Sequence, residues 1–275
     1  MSGTLYLVGT PIGNLEDLSP RAIRILSEVD FIAAEDTRVT RKLLTHFGIH
    51  TPLICYQEHN RAAQGETVVE RLLAGQNAAI VTDAGMPAIS DPGEDLVRLC
   101  HERGVDVASV PGPCAAVTAL AMSGMETGRF CFEGFLSVNK PSRREHLESL
   151  KREKRTMIFY EAPHKLTATL RDMLAAFGDR PVALVKELTK IHETVLRMTL
   201  SEAAAFYENE PPRGEYVLIV AGAPEETAES LPLEEGVKLA LSYVSDGMPA
   251  SKAAKRAAAE TGGNRGEIYK AISQN

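Results

Sequence analysis

Short apolar runs alternate with longer segments of helical periodicity over the first 125 residues of the chain. The apolar runs are typical of buried strands, and we expect them at residues 5–8, 31–34, 52–55, 78–81 and 106–110. Between them, Ser19 followed by Pro20 is a helix start, and Gly48 and Gly75 stand where helices should end. Strands that alternate with helices in this way predict an α/β fold with a mainly parallel sheet and helices on both faces.

The pattern changes after about Phe130. Predicted strands at residues 156–160, 182–186, 194–199 and 215–221 follow with fewer helices between them. The second and third of these are close enough in sequence to form a hairpin. We therefore predict an N-terminal α/β lobe over residues 1–125 and a C-terminal α+β lobe with a mixed sheet over residues 126–223.

The end of the chain has a third character. Residues 224–232 are rich in glutamate and proline and predict an acidic linker. Residues 233–275 then predict three short helices, the last two joined by a turn at 261–264 with helix–turn–helix spacing. A small helical bundle and a nucleic-acid contact are equally good interpretations of this extension.

Composition narrows the class of protein. With 44% hydrophobic and 24% charged residues, the 275-residue chain has the make-up of a globular protein. Its longest apolar runs fall short of the roughly 20 residues of a membrane span. The first residues lack the basic segment and apolar core of an export signal, and the four cysteines form no close pair. We expect a cytoplasmic protein with reduced cysteines, no metal site and no membrane contact.

The net charge of −7 argues against a generic nucleic-acid binder, and we expect no DNA partner. The charge is unevenly spread, however. Residues 140–155 contain seven lysines and arginines against three acidic residues, and residues 249–275 contain five lysines and arginines against two acidic residues. Each cluster alone is typical of a solvated helix face. Two basic clusters in an acidic chain also fit surfaces that bind phosphates.

The most informative segment is residues 82–93, with the sequence TDAGMPAISDPG, which follows the predicted strand 78–81. A loop with two glycines, two prolines and two aspartates at the carboxyl end of a parallel strand is a candidate ligand site. Asp91 can cap the next helix, with Pro92 and Glu94 completing a capping box. Residues 90–94 therefore have a structural interpretation. Residues 83–87 have no such role and are the functional candidate.

Other polar turns follow predicted strands. Residues 9–14, GTPIGN, are not the GxGxxG fingerprint, and no phosphate-binding P-loop motif is present. Residues 34–38, AEDTR, place adjacent carboxylates at a strand end, where Asp36 could cap a helix. Residues 110–116, VPGPCAA, residues 159–165, FYEAPHK, and residues 186–193, KELTKIHE, complete the series.

Taken in order, the segments LYLVGTPIGN, AEDTR, DAGMPAISDPG, PGPCAA, FYEAPHKL, KELTKIHE and GEYVLIVAG resemble the tetrapyrrole-methylase superfamily. Within it they are most similar to the bacterial ribosomal RNA small-subunit methyltransferase I family, from Leu5 to about Gly222, and the last helices fit that family's C-terminal extension. The resemblance implies a two-lobed fold, a homodimer, and S-adenosylmethionine held between the lobes. It also implies 2′-O-methylation of a cytidine in 16S ribosomal RNA.

The turns after the strands are rich in backbone groups, which suit a ligand made of a neutral adenosine and a zwitterionic amino acid. A triphosphate would need lysines and a glycine-rich cradle, which these turns lack. Turn chemistry and the resemblance together predict the following cofactor-binding residues: Pro11, Gly13, Asp83, Ala84, Gly85, Pro87, Ala88, Cys114, Ala115, Tyr160, Ala221 and Gly222.

A ribose hydroxyl also needs a general base. The candidates are Glu35, Asp36, Glu161, His164, Lys186, Glu187 and His192. We favour Lys186 with Glu187, where the lysine could take the proton or stabilise an alkoxide, and place Glu35 and Asp36 on the substrate side. A Lys–Glu surface pair is the structural alternative.

The predicted RNA-binding residues are Arg38, Arg41, Lys42, Arg143, Arg144, Lys252, Lys255 and Arg256. Two other functions stay open, namely methylation of a small tetrapyrrole and RNA binding without catalysis.

Overall fold

The computed structural model describes residues 2–224 and 231–274. The chain divides into two compact units, Met1–Ala223 and Pro224–Asn275. Glu225, Glu226 and Glu229, on which the prediction of an acidic linker mainly depends, lie outside the described residues.

The first part of the larger unit is a five-stranded sheet in which every pairing is parallel. The strand order is β3-β2-β4-β1-β5, which places the ends of β1 and β4 side by side at its centre. The strands are β1 Thr4–Val8, β2 Phe31–Ala34, β3 Leu53–Cys55, β4 Ala78–Val81 and β5 Asp106–Val110. The helices are α1 Pro20–Glu28, α2 Thr37–His46, α3 Arg61–Leu73, α4 Glu94–Glu102 and α5 Ala115–Ser123. The predicted parallel α/β arrangement is confirmed.

Helices cover both faces of this sheet. Leu26 of α1 and Leu44 of α2 pack on one face with Ile32, while Leu72 of α3 and Leu96 of α4 pack on the other. Strands buried on both sides read as continuous apolar runs, which is why β2 and β4 were predicted with their observed ends. The predicted cap of α1 is also confirmed, because the Ser19 side chain accepts a hydrogen bond from the Ala22 amide.

A second, mixed sheet follows, in the order β6-β7-β10-β8-β9. Its strands are β6 Phe130–Phe135, β7 Thr156–Glu161, β8 Pro181–Lys186, β9 Thr194–Thr199 and β10 Tyr216–Val220. β6 and β7 are parallel, and the remaining pairs are antiparallel. The predicted hairpin between β8 and β9 is confirmed.

This region has fewer helices than the first, as expected, but the sequence pattern located none of them and did not predict strand β6. The missed helices are α6 Lys140–Ser149, α7 Pro163–Phe177 and α8 Leu200–Asn209. The signal was present in α7, where Leu166, Leu170, Met173 and Phe177 recur at helical spacing and are buried. They pack on one face of the second sheet. The other face is covered by the small residues of α5, which therefore joins the two sheets.

The smaller unit contains three helices, α9 Leu233–Ser245, α10 Ala250–Thr261 and α11 Arg265–Ser273. Ala240, Ala257 and Ile268 meet in a core of their own. The three predicted helices are thus confirmed, with Gly262 in the left-handed turn that ends α10. Across the described ranges, no helix has the length and apolarity to cross a bilayer.

Candidate active site

A cleft of about 430 Å³ lies between the carboxyl ends of the strands of the first sheet and one end of the strands of the second. Its first wall consists of loops that follow β1, β2, β4 and β5, together with the start of α5. Its second wall consists of residues from β6, β7, β8 and β10 and the segments that follow them. The cleft therefore sits where ligands bind in open α/β sheets, beside the central pair of strands.

Backbone contacts hold the loops of the first wall against each other. The amide of Thr10 donates to the carbonyl of Gly85 at 2.9 Å, and the amide of Gly85 donates back at 3.1 Å. Gly9 and Gly112 touch backbone to backbone, since a Cβ on Gly9 would lie 2.7 Å from the Gly112 Cα. The glycines in these strand-end turns are needed for close approach of three loops, which makes the wall rigid.

Two carboxylates tie the loop after β2 to the loop after β4. One oxygen of Glu35 accepts hydrogen bonds from the Thr82 hydroxyl at 2.6 Å and the Asp83 amide at 3.3 Å. Asp83 in turn accepts a bond from the amide of Asp36 at 3.1 Å. Burial, then repulsion from Glu35, raises the pKa of Asp83. The cluster places two carboxylates side by side in the lining of the cleft.

Asp91 belongs to this wall, and its predicted role as a helix cap is wrong. Helix α4 begins at Glu94, its capping residue is Gly93 with φ of 135°, and no side chain caps it. The loop instead contains two non-glycine residues of positive φ, Ala88 at 69° and Ser90 at 62°. This strained backbone leaves Asp91 lining the cleft. Burial and the charge of Glu35 raise the pKa of Asp91 to about 6.

Aromatic rings form one end of the second wall. The Tyr160 ring lies between Phe132 and Phe135, with centroid distances of 5.1 and 5.4 Å. Its hydroxyl accepts a hydrogen bond from the Ala116 amide at 3.1 Å, which occupies a free donor at the start of α5. Burial raises the pKa of Tyr160 to about 12, so the hydroxyl stays neutral. A bulge in β6 at Gly134 brings this wall within 3.4 Å of the Ser90 hydroxyl, measured from a Cβ built on the glycine.

The remainder of the second wall is mostly apolar, from Val185, Leu188, Tyr216 and Val217. Glu161 also lines it but is nearly fully buried, and its oxygens accept bonds from the Thr169 hydroxyl at 2.5 Å and the Ala162 amide at 2.8 Å. A carboxylate with both oxygens bound to the protein is structural.

The charge of the lining is one-sided. Within the described chain it includes five carboxylates but no lysine, arginine or histidine, the acids being Glu35, Asp83, Asp91, Glu161 and Glu215. Such a cleft favours a cationic or neutral ligand and disfavours a phosphate. The described residues also contain no cluster of three side chains arranged to hold a metal ion.

The structure brings eight of the candidates for cofactor binding or catalysis into the lining, namely Glu35, Asp83, Ala84, Gly85, Cys114, Ala115, Tyr160 and Glu161. Pro11, Gly13, Pro87 and Ala88 lie in the same loops but outside the lining. At Gly13 the reason is packing, since a Cβ there would lie 2.7 Å from the Lys190 side chain. Gly13 thus serves the contact between the two walls, and its neighbour Ile12 faces the cleft.

Ala221 and Gly222 are placed away from the cleft. β10 starts at the cleft with Tyr216 and runs to the opposite end of its sheet. There, beyond the end of the strand, a Cβ on Gly222 would collide with the Lys154 carbonyl. The residues of this strand that line the cleft are Tyr216 and Val217. Sequence reasoning missed them because a strand buried along its whole length shows no sign of a ligand at one end.

The favoured catalytic pair, Lys186 and Glu187, lies outside the lining. Glu187 accepts bonds from the Lys190 ammonium at 3.1 Å and the Glu215 amide at 3.2 Å. Burial opposes ionisation of Glu187, but the Lys190 bond, the Glu215 amide bond and the charges of Lys190 and His192 together outweigh burial, so the pKa of Glu187 is lowered. Asp36 caps α2 and forms an ion pair with Arg38 at 2.7 Å. The hydrogen bond from Arg38 lowers the pKa of Asp36 to about 2. Both carboxylates are therefore weak bases.

The predicted RNA-binding residues fall into exposed and buried groups. Arg38, Arg41 and Lys42 are exposed on α2, and Lys252, Lys255 and Arg256 are exposed on α10. Arg144 is exposed as well. Arg143 is not, because it pairs with Asp172 at 2.6 Å in a nearly buried ion pair. It is a structural residue of α6 and cannot reach an RNA phosphate.

Comparison with known proteins identifies the class. The family model for Tetrapyrrole (Corrin/Porphyrin) Methylases matches residues 4–204. Among solved structures, uroporphyrin-III C-methyltransferase from Thermus thermophilus complexed with S-adenosylhomocysteine superposes with a TM-score of 0.57 at 20% identity, covering 80% of this chain and 97% of that one. Diphthine synthase superposes with a TM-score of 0.60 at 12% identity, covering 80% and 90%. The fold is that of the tetrapyrrole methylases.

Sequence relatives narrow the class to a family. "Ribosomal RNA small subunit methyltransferase I" of Synechocystis sp. is 48% identical over 97% of this chain and 96% of its own length. The proteins of the same name from Bacillus subtilis and Haemophilus influenzae are 44% and 43% identical, each over 98% of this chain and at least 94% of their own. The chain therefore belongs to the ribosomal RNA small subunit methyltransferase I family, and the resemblance drawn from its motifs is confirmed.

Proposed function

We propose that this chain transfers a methyl group from S-adenosylmethionine to the ribose 2′-oxygen of a cytidine in 16S ribosomal RNA. The broader activity, methylation of ribosomal RNA with S-adenosylmethionine as donor, follows from family membership. The observation that supports it best in the structure is the cleft, which offers carboxylates and no basic side chain among its described lining residues. S-adenosylmethionine carries a sulfonium and an ammonium, and both are attracted by that wall.

The donor fits the cleft in size and polarity. Pockets for small ligands measure about 300–1,000 Å³ and are mainly apolar with a few placed polar groups. Here the adenine would lie against the apolar side chains of Leu188 and Val217, and the amino-acid end against the loop from Asp83 to Met86. Cys114 and Ala115 would close the cleft at the start of α5, where backbone amides favour the donor's own carboxylate.

S-adenosylmethionine supplies a methyl carbon already activated by a positive sulfur. The protein has to orient the ribose oxygen in line with that carbon, exclude competing water and accept the hydroxyl proton. Rigid loops linked through Thr10, Gly9 and Gly85 suit the first task, and the aromatic wall around Tyr160 suits the second. The third requires a carboxylate in the lining.

The RNA would present a neutral ribose to the cleft and keep its phosphates outside, because the acidic lining repels them. Exposed basic side chains near the cleft could bind those phosphates. Arg38, Arg41 and Lys42 stand on α2, which begins two residues after Glu35. Phosphate contacts position the strand without reading its sequence. We extend the proposed RNA-binding surface to Lys252 and Lys255 on α10 of the smaller unit. We also propose that the protein is a cytoplasmic homodimer. Light scattering would detect the dimer as twice the 29.8 kDa mass of the chain.

A single assay tests the proposal. Small ribosomal subunits from a strain lacking the modification are incubated with the protein and S-adenosylmethionine labelled in its methyl group. We expect label in 16S RNA that survives alkali as a dinucleotide containing cytidine, because a 2′-O-methyl group blocks cleavage of the next phosphodiester bond. Label on a base, or on another nucleotide, contradicts the position we propose.

The two alternative functions give different results in the same assay. A tetrapyrrole methylase would label a porphyrinoid and leave the RNA unlabelled, and an RNA-binding protein without catalysis would label neither. The acidic lining disfavours the first, because tetrapyrroles with carboxylate side chains would be repelled. The formed donor cleft disfavours the second.

A further inference from the structure

We propose that Asp91 is the general base that takes the proton from the ribose hydroxyl. The inference rests on the proposed function and assigns to Asp91 a role that its sequence context, a helix cap, did not suggest. It depends on where Asp91 lies, on what the other carboxylates of the lining already bind, and on the chemistry of the step.

Asp91 lies where two cavities meet. A polar groove of about 560 Å³ runs between α3 and α4, and Asp91 is the one described residue that lines both this groove and the donor cleft. Arg61 and Arg98 flank the groove and are half or more exposed. A ribose held at the donor cleft on the side of this groove therefore lies next to the Asp91 carboxylate.

The other carboxylates of the lining are less available. Glu35 accepts the Thr82 hydroxyl and the Asp83 amide, and Asp83 accepts the Asp36 amide. Glu161 is buried with both oxygens bound. Glu215 extends into solvent, with its carboxylate 3.6 Å from Lys190. The Thr82 hydroxyl donates to Glu35 and also lies beside Asp91, where it favours the ionised carboxylate. Among the described residues, no backbone amide or basic side chain donates to Asp91, so its oxygens are largely left for a substrate.

The surroundings of Asp91 also make it a stronger base than an ordinary aspartate. Burial, with the charges of Glu35 and Asp83, raises its pKa to about 6, while Thr82 opposes the shift. A base is most effective when its pKa lies near the working pH while it is still ionised. The titratable groups that share a cavity with Asp91 are Glu35, Asp83, Cys114, Tyr160, Glu161, Glu215 and Tyr216 in the cleft and Tyr56, Arg61, Glu66, Glu94, Asp95, Arg98 and Glu102 in the groove.

The step is balanced without any further reagent. The 2′-oxygen forms a bond to the methyl carbon, the carbon–sulfur bond breaks, and its electron pair neutralises the sulfonium. The hydroxyl proton passes to the Asp91 carboxylate and from there to water when the products leave. The methylated ribose and S-adenosylhomocysteine are the products.

The test compares Asp91→Asn and Asp91→Glu with wild type on small ribosomal subunits. Asn keeps the shape and removes the basic oxygen, so we expect kcat to fall by about 100-fold or more, the usual contribution of a general base. Donor and subunit affinities should stay within about threefold, because the loss is one of chemistry and not of binding. Glu should restore part of the activity. Asp106→Asn, at the opposite end of the first sheet, is the matched control and should retain wild-type kcat.

The pH profile separates a base from a structural residue. Wild-type kcat/KM should fall on the acid side with an apparent pKa near 6. This limb should vanish in Asp91→Asn. It should move to lower pH in Glu35→Gln, which removes a charge that raises the pKa of Asp91.

Wild-type kcat and an unchanged acid limb in Asp91→Asn would overturn the inference alone. So would loss of donor binding in step with activity, which would make Asp91 a donor ligand. A wild-type protein that labels no ribose overturns the proposed function and this inference together. Folding of each variant is checked by its unfolding midpoint, and the Glu variant provides the comparison if Asn fails to fold.

Discussion

The two walls of the cleft come from different sheets and offer a ligand different chemistry. The first wall presents backbone turns and the carboxylates Glu35, Asp83 and Asp91. The second presents aromatic and aliphatic side chains around Tyr160 and Val217. One wall therefore provides charge and the other shape, which matches a donor with a cationic sulfur at its centre and a flat adenine at one end.

The difference has a structural origin. The first wall is made where parallel strands end, so its residues are in loops, with polar side chains and exposed amides. The second wall is made largely from strands of a mixed sheet, whose side chains belong to the apolar layer packed against α5. A ligand between the walls meets the loops of one sheet and the core of the other.

Removing the charge of Asp83, in the loop that we place against the amino-acid end of the donor, should have the largest effect on donor binding. In Asp83→Ala we expect affinity for S-adenosylmethionine to fall by about 10- to 100-fold, since hydrogen bonds to charged groups are worth about 1.5–3 kcal/mol. Asp83 is exposed, so the chain should still fold. Calorimetry measures the affinity, with exposed Asp17→Ala as the control. Near-normal affinity would remove Asp83 from the donor site.

Neither wall of the cleft should bind the phosphates of the RNA. We expect basic side chains outside the cleft to bind them. The double variant Lys252→Glu, Lys255→Glu should lower affinity for small ribosomal subunits by about tenfold and flatten its salt dependence, because two cations are lost. Donor affinity should not change. Wild-type subunit affinity would exclude α10 from the interface, and a parallel loss of donor binding would indicate a damaged fold.

The charged wall should also reduce stability at neutral pH. The pKa of Asp91 is raised from 3.8 to about 6 in the folded chain, so the folded state binds this proton more tightly than the unfolded state. Its contribution to stability is present below pH 3.8 and is lost as pH rises through about 6. Asp91→Asn should therefore gain in unfolding midpoint relative to wild type between pH 4 and pH 7, by calorimetry. A constant difference across that range would contradict the shifted pKa.

The smallest effect should come from the hydroxyl that joins the walls. Tyr160→Phe removes the acceptor of the Ala116 amide and should cost about 1 kcal/mol, or about 2–4 °C in midpoint. Tyr6→Phe, in the first sheet outside the cleft, is the control. If both variants unfold at the same temperature, the Tyr160 hydroxyl does not stabilise the start of α5.

The local pattern of the chain was sufficient for the strands and helices of the first sheet and for half of the site. Apolar runs predicted the described strands other than β6, and glycine and proline after them predicted the turns that hold Asp83, Gly85, Cys114 and Ala115. These inferences succeed because a buried parallel strand and the loop at its carboxyl end are both written within a few adjacent residues.

Contacts between distant residues required the tertiary structure. Arg143 and Arg144 are neighbours in one basic cluster, and only the position of Asp172, 29 residues further on, shows that the first is buried. Tyr216 and Val217 read as core until the cleft is seen at their end of β10. The direction of Asp91 depends on positive φ angles at Ala88 and Ser90 and on the approach of Gly134 from the other sheet.

The sequence by itself thus determined the family, the two sheets and the loops that face a donor. The tertiary structure decided which carboxylate is available for chemistry and which arginine is available for RNA. The physical reason is that periodicity and turn chemistry act between neighbours along the chain. Burial, pKa and hydrogen-bond pairing depend on groups that only folding brings together.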